Sequence, residues 1–85
     1  MKRLIVIISD DCPYCHRLTE ELNRRNVEYE LINISSEPEK VQALGVGIYG
    51  LPASIVKDEN NIIWAYRAGF SHKLVKEILA ELKTP

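Results

Sequence analysis

Asp11-Cys12-Pro13-Tyr14-Cys15-His16 holds the only two cysteines of the chain and follows closely on the apolar run Leu4-Ile5-Val6-Ile7-Ile8. Behind it, Arg17 to Asn26 reads as a helix. Two thiols therefore stand where a buried strand turns into the first turn of a helix. Pro13 suits that place, since a first-turn proline loses no helical hydrogen bond. The amides of a first turn have no partner inside the helix, and the dipole puts partial positive charge there. A Cys12 side chain at that end has its thiolate favoured, and the thiolate is the nucleophilic form. Cys15, about one turn on, lies on the same side and can attack a mixed disulfide formed on Cys12. The arrangement is that of a dithiol redox site.

Three other chemistries use similar residues. Cys-x-x-Cys-His is also the attachment motif for c-type haem, which needs export, a second axial ligand and a mostly helical pocket. No export signal is read here, and only Met1 and His72 offer themselves as a second ligand. A zinc site from Cys12, Cys15, His16 and the distant His72 lacks a second closely spaced ligand pair. Buried structural cysteines, or a fixed disulfide, fit poorly with an exposed proline-containing loop. A lasting structural disulfide is also uncommon inside cells. No metal site is expected.

The 85 residues are read as one domain, 1–85, able to bury one modest core. With 46% hydrophobic and 27% charged residues, the composition is that of an ordinary globular chain. A net charge of -1 gives no reason to expect nucleic acid or an anionic membrane surface as partner. Lys2-Arg3 precedes an apolar run too short for the roughly 7–15 residues of a signal-peptide core. No segment approaches the roughly 20 apolar residues that span a bilayer. A cytoplasmic monomer is expected, and there a cysteine pair is more often catalytic than structural.

Leu4 to Ile8 is apolar at every position, as in a central strand covered on both faces. Cys15, Leu18 and Leu22 form the core stripe of the first helix. Val27 to Ile34 reads as a second strand, alternating through Val27, Tyr29 and Leu31, so that strand, crossover helix and strand make a parallel unit. Ser36 and Glu39 have capping-box spacing for a short helix that begins near Pro38 and stops at Gly45. Ala53 to Val56 and Ile62 to Arg67, joined by Lys57-Asp58-Glu59-Asn60-Asn61, form a hairpin. Ser71 caps a last helix with Leu74, Val75, Ile78, Leu79 and Leu82 on one face. Trp64 is expected to pack on the sheet, and Glu20, Glu21, Arg24 and Arg25 to form a solvated helix face. The order βαβαββα predicts an α/β fold, a mixed sheet of four strands with helices on both faces.

That order, with Cys12-Pro13-Tyr14-Cys15 after the first strand, resembles the glutaredoxin branch of the thioredoxin superfamily along essentially the whole chain. The resemblance implies a thioredoxin-like fold and thiol–disulfide oxidoreductase activity with no bound cofactor. It implies that Cys12 and Cys15 are catalytic, with Pro13 and Tyr14 on the substrate rim. It also implies that Pro52 is a cis-proline facing the cysteine pair, and that the Leu51 backbone pairs with substrate as a strand would. Gly69, Phe70 and Ser71 would complete the substrate site.

Two departures bear on the electron donor. Glutaredoxins usually place Lys or Arg three residues before the first cysteine to meet glutathione's carboxylate; Ser9 stands there, followed by Asp10 and Asp11. The family's Gly-Gly motif with a following Thr or Ser and Asp becomes Ala68-Gly69-Phe70-Ser71-His72, so His72 replaces the acid that would meet glutathione's amino group. Asp11, His16, Leu51-Pro52 and Trp64 with Gly69-Phe70 are similar to the NrdH-redoxins, which supply electrons to a ribonucleotide reductase and draw them from thioredoxin reductase. The implied partners are thus disulfide-containing proteins, ribonucleotide reductase among them, with thioredoxin reductase or glutathione as the electron source. The competing class is a non-catalytic iron–sulfur or metal carrier, since some glutaredoxin relatives hold a cluster with glutathione. Pro13 and the lost glutathione anchors argue against it.

Overall fold

The computed structural model describes residues 1–84; Pro85, the last residue of the expected domain, lies outside the described residues. The elements run β1 (Arg3–Ile8), α1 (Pro13–Arg24), β2 (Glu30–Asn33), α2 (Pro38–Ala43), β3 (Ala53–Lys57), β4 (Ile63–Ala68) and α3 (His72–Lys83). This is the order expected from the sequence. The four strands lie in the order β2-β1-β3-β4. β1 pairs parallel with β2 and antiparallel with β3, and β3 pairs antiparallel with β4.

Because β1 has a neighbour on each side and a layer on each face, Leu4, Ile5, Val6 and Ile7 are each 1% exposed or less. Alternation sends Leu4 and Val6 to one face, where Leu18 and Leu22 of α1 and Leu74, Val75 and Ile78 of α3 meet them. Ile5 and Ile7 go to the other, against Ile32, Ile55 and Val41 of α2. Each such side chain contributes about 1.5–3 kcal/mol on burial, so the two clusters together hold the sheet between its helices.

Local chemistry sets the ends of the elements. Pro13 opens α1, and Asn26, with φ 58°, turns the chain out of it in the left-handed region that asparagine tolerates. The β3–β4 turn is organised by Asp58, whose Oδ1 accepts from the amides of Asn60 (2.8 Å) and Ile62 (3.0 Å). Ser71 caps α3 as expected, its Oγ accepting from the Leu74 amide at 3.0 Å.

Four details differ from the sequence reading. The Ser36–Glu39 capping box does not form: Glu37 is the N-cap of α2 and caps with no side-chain bond, while the Ser36 Oγ donates to the Asn33 carbonyl. β2 is confined to Glu30–Asn33, and Leu31 is 47% exposed, because an edge strand covered on one side leaves that position open. Trp64 is half exposed rather than packed on the sheet. Its ring lies under the Lys2 ammonium at 4.1 Å, and its Nε1 donates to Asp58. Glu21, expected in solvent, is buried and held by Arg24 and Arg25. No described helix is long and apolar enough to cross a membrane.

Candidate active site

Three connections meet at one end of the sheet. The ladder sets Ala53 opposite both Ile7 and Ala68. The segment leaving β1 toward Cys12, the Leu51-Pro52 entry to β3 and the Gly69-Phe70-Ser71 exit from β4 therefore share that end. The Leu51–Pro52 bond is cis, as the resemblance implied. The Pro52 carbonyl accepts from the Gly69 amide at 2.8 Å, tying two of the connections together. Gly69 has φ +92°, a backbone conformation that favours glycine.

Cys12 is the N-cap of α1, in extended conformation, and its Sγ accepts from the Cys15 amide at 3.2 Å. The two cysteines form a disulfide with Cα atoms 5.2 Å apart. Their exposure differs: Cys15 is 3% exposed and faces inward from α1, while Cys12 is partly exposed. The same amide that meets Cys12 Sγ would stabilise a thiolate there, since hydrogen bonds to the charged form favour it.

Around the pair the polar groups are sparse. Asp10, Asp11, Cys12 and Pro13 line an open depression of about 420 Å³. Asp10 is fixed by Asn33, whose Nδ2 donates to its Oδ1 at 2.9 Å, and its own amide donates to Ser35 Oγ at 3.1 Å. Sequence reasoning missed this tether, which depends on the loop after β2 reaching the loop after β1. Tyr14 is 55% exposed, with the Arg17 guanidinium 5.7 Å from its ring centre. His16 is exposed and pairs with Glu20 at 3.1 Å. Phe70 and His72 meet edge to face at 5.7 Å. Neither the amide nor the carbonyl of Leu51 has a backbone partner among the described residues. Tyr49 stacks on Tyr66 at 4.9 Å, another pairing that the sequence did not signal. Among the described residues no group of three or more His, Cys, Asp or Glu side chains converges as a metal site.

The glutaredoxin family model matches residues 4–58, from the first core residue of β1 through the whole of β3. The chain belongs to the glutaredoxin family. It is 27% identical over 81 residues to the SPbeta prophage-derived thioredoxin-like protein YosR of Bacillus subtilis strain 168, covering 95% of this chain and 99% of that one. The crystal structure of a glutaredoxin from Archaeoglobus fulgidus superposes with a TM-score of 0.66 at 26% identity, over 93% of this chain and 87% of that one. Thioredoxin f from spinach chloroplast shares the fold alone, with a TM-score of 0.74 at 19% identity over 94% of this chain and 75% of that one. With its Cys12–Cys15 pair at disulfide distance, this glutaredoxin-family chain is a thiol–disulfide oxidoreductase with a thioredoxin-like fold.

Proposed function

We propose that the protein reduces disulfides of other proteins and is itself re-reduced by a flavoenzyme of the thioredoxin-reductase type in preference to glutathione. The Cys12 thiolate attacks one sulfur of the substrate disulfide, forming a mixed disulfide and releasing the other sulfur as a thiolate. Cys15, deprotonated, then attacks Cys12 Sγ, which releases the second substrate thiolate. Two electrons have passed to the substrate, and Cys12–Cys15 is left oxidised. The exposure difference between the two sulfurs supports this order of roles. Pro13 and Tyr14 would form the rim, and the free backbone groups of Leu51 beside Pro52 would pair with an extended substrate segment. Gly69, Phe70 and Ser71 would border that segment from the β4 side. We place this activity in the cytoplasm, acting as a monomer.

The observation that carries the choice of donor is the charge at the dithiol end. Asp10 and Asp11 line the depression at Cys12, and no cation pairs with either among the described residues. Ser9 and His72 occupy the positions where a glutathione site would need a cation and an acid. Each missing charge-assisted bond removes about 1.5–3 kcal/mol of possible binding, and the carboxylates repel an anionic tripeptide. Oxidised protein offered NADPH with thioredoxin reductase should turn over faster than with glutathione and glutathione reductase. The double substitution Ser9→Lys with His72→Asp should raise the glutathione-driven rate. Efficient turnover on glutathione by the unchanged protein, with no response to thioredoxin reductase, would overturn the reading.

A further inference from the structure

At the end of the sheet away from the cysteines, the ladder sets Lys57 directly opposite Arg3. Alternation from Ile55 and Ile5 places both on the face covered by α2. Two cations facing each other across a strand pair repel. Lys57 is also 6% exposed, as buried as the core residue Val41. Ser54 Oγ is, among the described residues, the one buried side-chain polar atom without a partner, so it is the stem of Lys57 that is buried, while its ammonium keeps contact with solvent at the cleft. Among the described residues no carboxylate lies within ion-pairing distance of Lys57.

Lys57 borders a cleft of about 520 Å³ that Arg3 and Lys40 also line, with Ile5 and Ile32 as apolar wall and Glu30 as its one carboxylate. That volume suits a small ligand. The three cations are not equally committed. Lys40 is held by Glu37 at 2.6 Å. Arg3 donates one guanidinium nitrogen to the neutral Asn61 side chain at 2.9 Å, leaving its other donors free. Lys57 is uncommitted.

We propose that this cleft is a binding site for a phosphate-class oxyanion, with Lys57 as its central charge and Arg3 as the second cation. An oxyanion in the cleft over the two strands offsets the Arg3–Lys57 repulsion and gives the Lys57 ammonium a partner of opposite charge. A guanidinium fork and a point-charge ammonium together suit several oxygens on one centre. Glu30 opposes the anion, and its removal should therefore strengthen binding. The site lies at the far end of β1 and β3 from the dithiol and takes no part in disulfide exchange.

The test is a titration of the whole protein with inorganic phosphate, followed by the amide resonances of Arg3, Lys57 and Asn61, against acetate and chloride at equal ionic strength. Phosphate should give saturable shifts at these amides that the other two anions do not reproduce. Lys57→Met should weaken binding at least tenfold, Arg3→Gln should weaken it less, and Glu30→Gln should tighten it. Should Lys57→Met fold poorly, the opposed responses of Arg3→Gln and Glu30→Gln carry the test alone. Shifts that rise without saturation, that spread over exposed lysines, or that ignore these substitutions would overturn the proposal. Disulfide reduction should be unchanged in all three variants, so a failure here leaves the redox assignment standing.

Discussion

The two ends of α1 handle charge in opposite ways. At the C-terminal end the Glu21 carboxylate is buried beneath Arg24 and Arg25, with the Arg25 Nε 2.6 Å from one of its oxygens. At the N-terminal end Asp11 is exposed and has no ion-pair partner among the described residues, and Cys12 caps the helix through the Cys15 amide; at the same end of the sheet the Leu51 backbone makes no backbone bond among the described residues. At one end the carboxylate is neutralised by the helix's own side chains. At the other end donors, acceptors and a reactive sulfur are left open. The difference separates what holds the helix from what the helix presents.

The largest effect expected from breaking this division is at the sulfurs. Cys12→Ser should reduce disulfide exchange to the uncatalysed background. Cys15→Ser should retain the first attack and accumulate a mixed disulfide with substrate, visible as a mass adduct on Cys12. The asymmetry follows from Cys12 standing at the open helix end while Cys15 is 3% exposed. Adduct on Cys15 in the Cys12→Ser variant would reverse the roles.

A subtler effect should come from the C-terminal end. Hydrogen bonds from Arg25 and then Arg24 hold the Glu21 carboxyl down at about 2, from an ordinary 4.5. The unfolded chain lacks that arrangement and takes up a proton near the ordinary value. Between the two values the unfolded state binds more protons than the folded one, so stability falls as pH is lowered through that window. Glu21→Gln should therefore lower the melting temperature at neutral pH. The gap to the unchanged protein should stay constant above about 4.5 and close toward about 2. Disulfide exchange at neutral pH should not move. If it drops along with stability, the two ends of α1 are coupled and the division fails.

How much of this could be read from the sequence depends on how local each feature is. The apolar run Leu4–Ile8, the Cys12-Pro13-Tyr14-Cys15 turn and the Ser71 cap are specified within a few residues, and each forms as read. The cis bond at Pro52 was legible only through the family resemblance. Glu21 was misread although its signal was present, since Arg24 and Arg25 stand three and four residues on, the spacing at which helix side chains meet. The Asp10–Asn33–Ser35 tether, the Tyr49–Tyr66 stack and the facing of Arg3 and Lys57 join positions far apart in the chain. They follow from strand register and loop approach, which no short window contains.

The smallest effect belongs to the acidic pair at the open end, and it tests whether charge there acts on the sulfur. Both are exposed and line the depression that includes Cys12, and Asp10 is in addition tethered by Asn33 and Ser35. Their charges oppose the helix end and the Cys15 amide, which favour a Cys12 thiolate. At an exposed site such a pair is worth about 1 kcal/mol, less than about one pKa unit. Asp10→Asn with Asp11→Asn should therefore lower the thiolate pKa of the reduced protein by less than about one unit, read from thiolate ultraviolet absorbance against pH. High salt should shrink the difference, because exposed charges are screened. The exchange rate should change less than the thiolate fraction does, since a thiol of lower pKa is also a weaker nucleophile. An unchanged or higher pKa in the double variant would mean that the carboxylates do not act on the sulfur, and that the open end is set by the backbone alone.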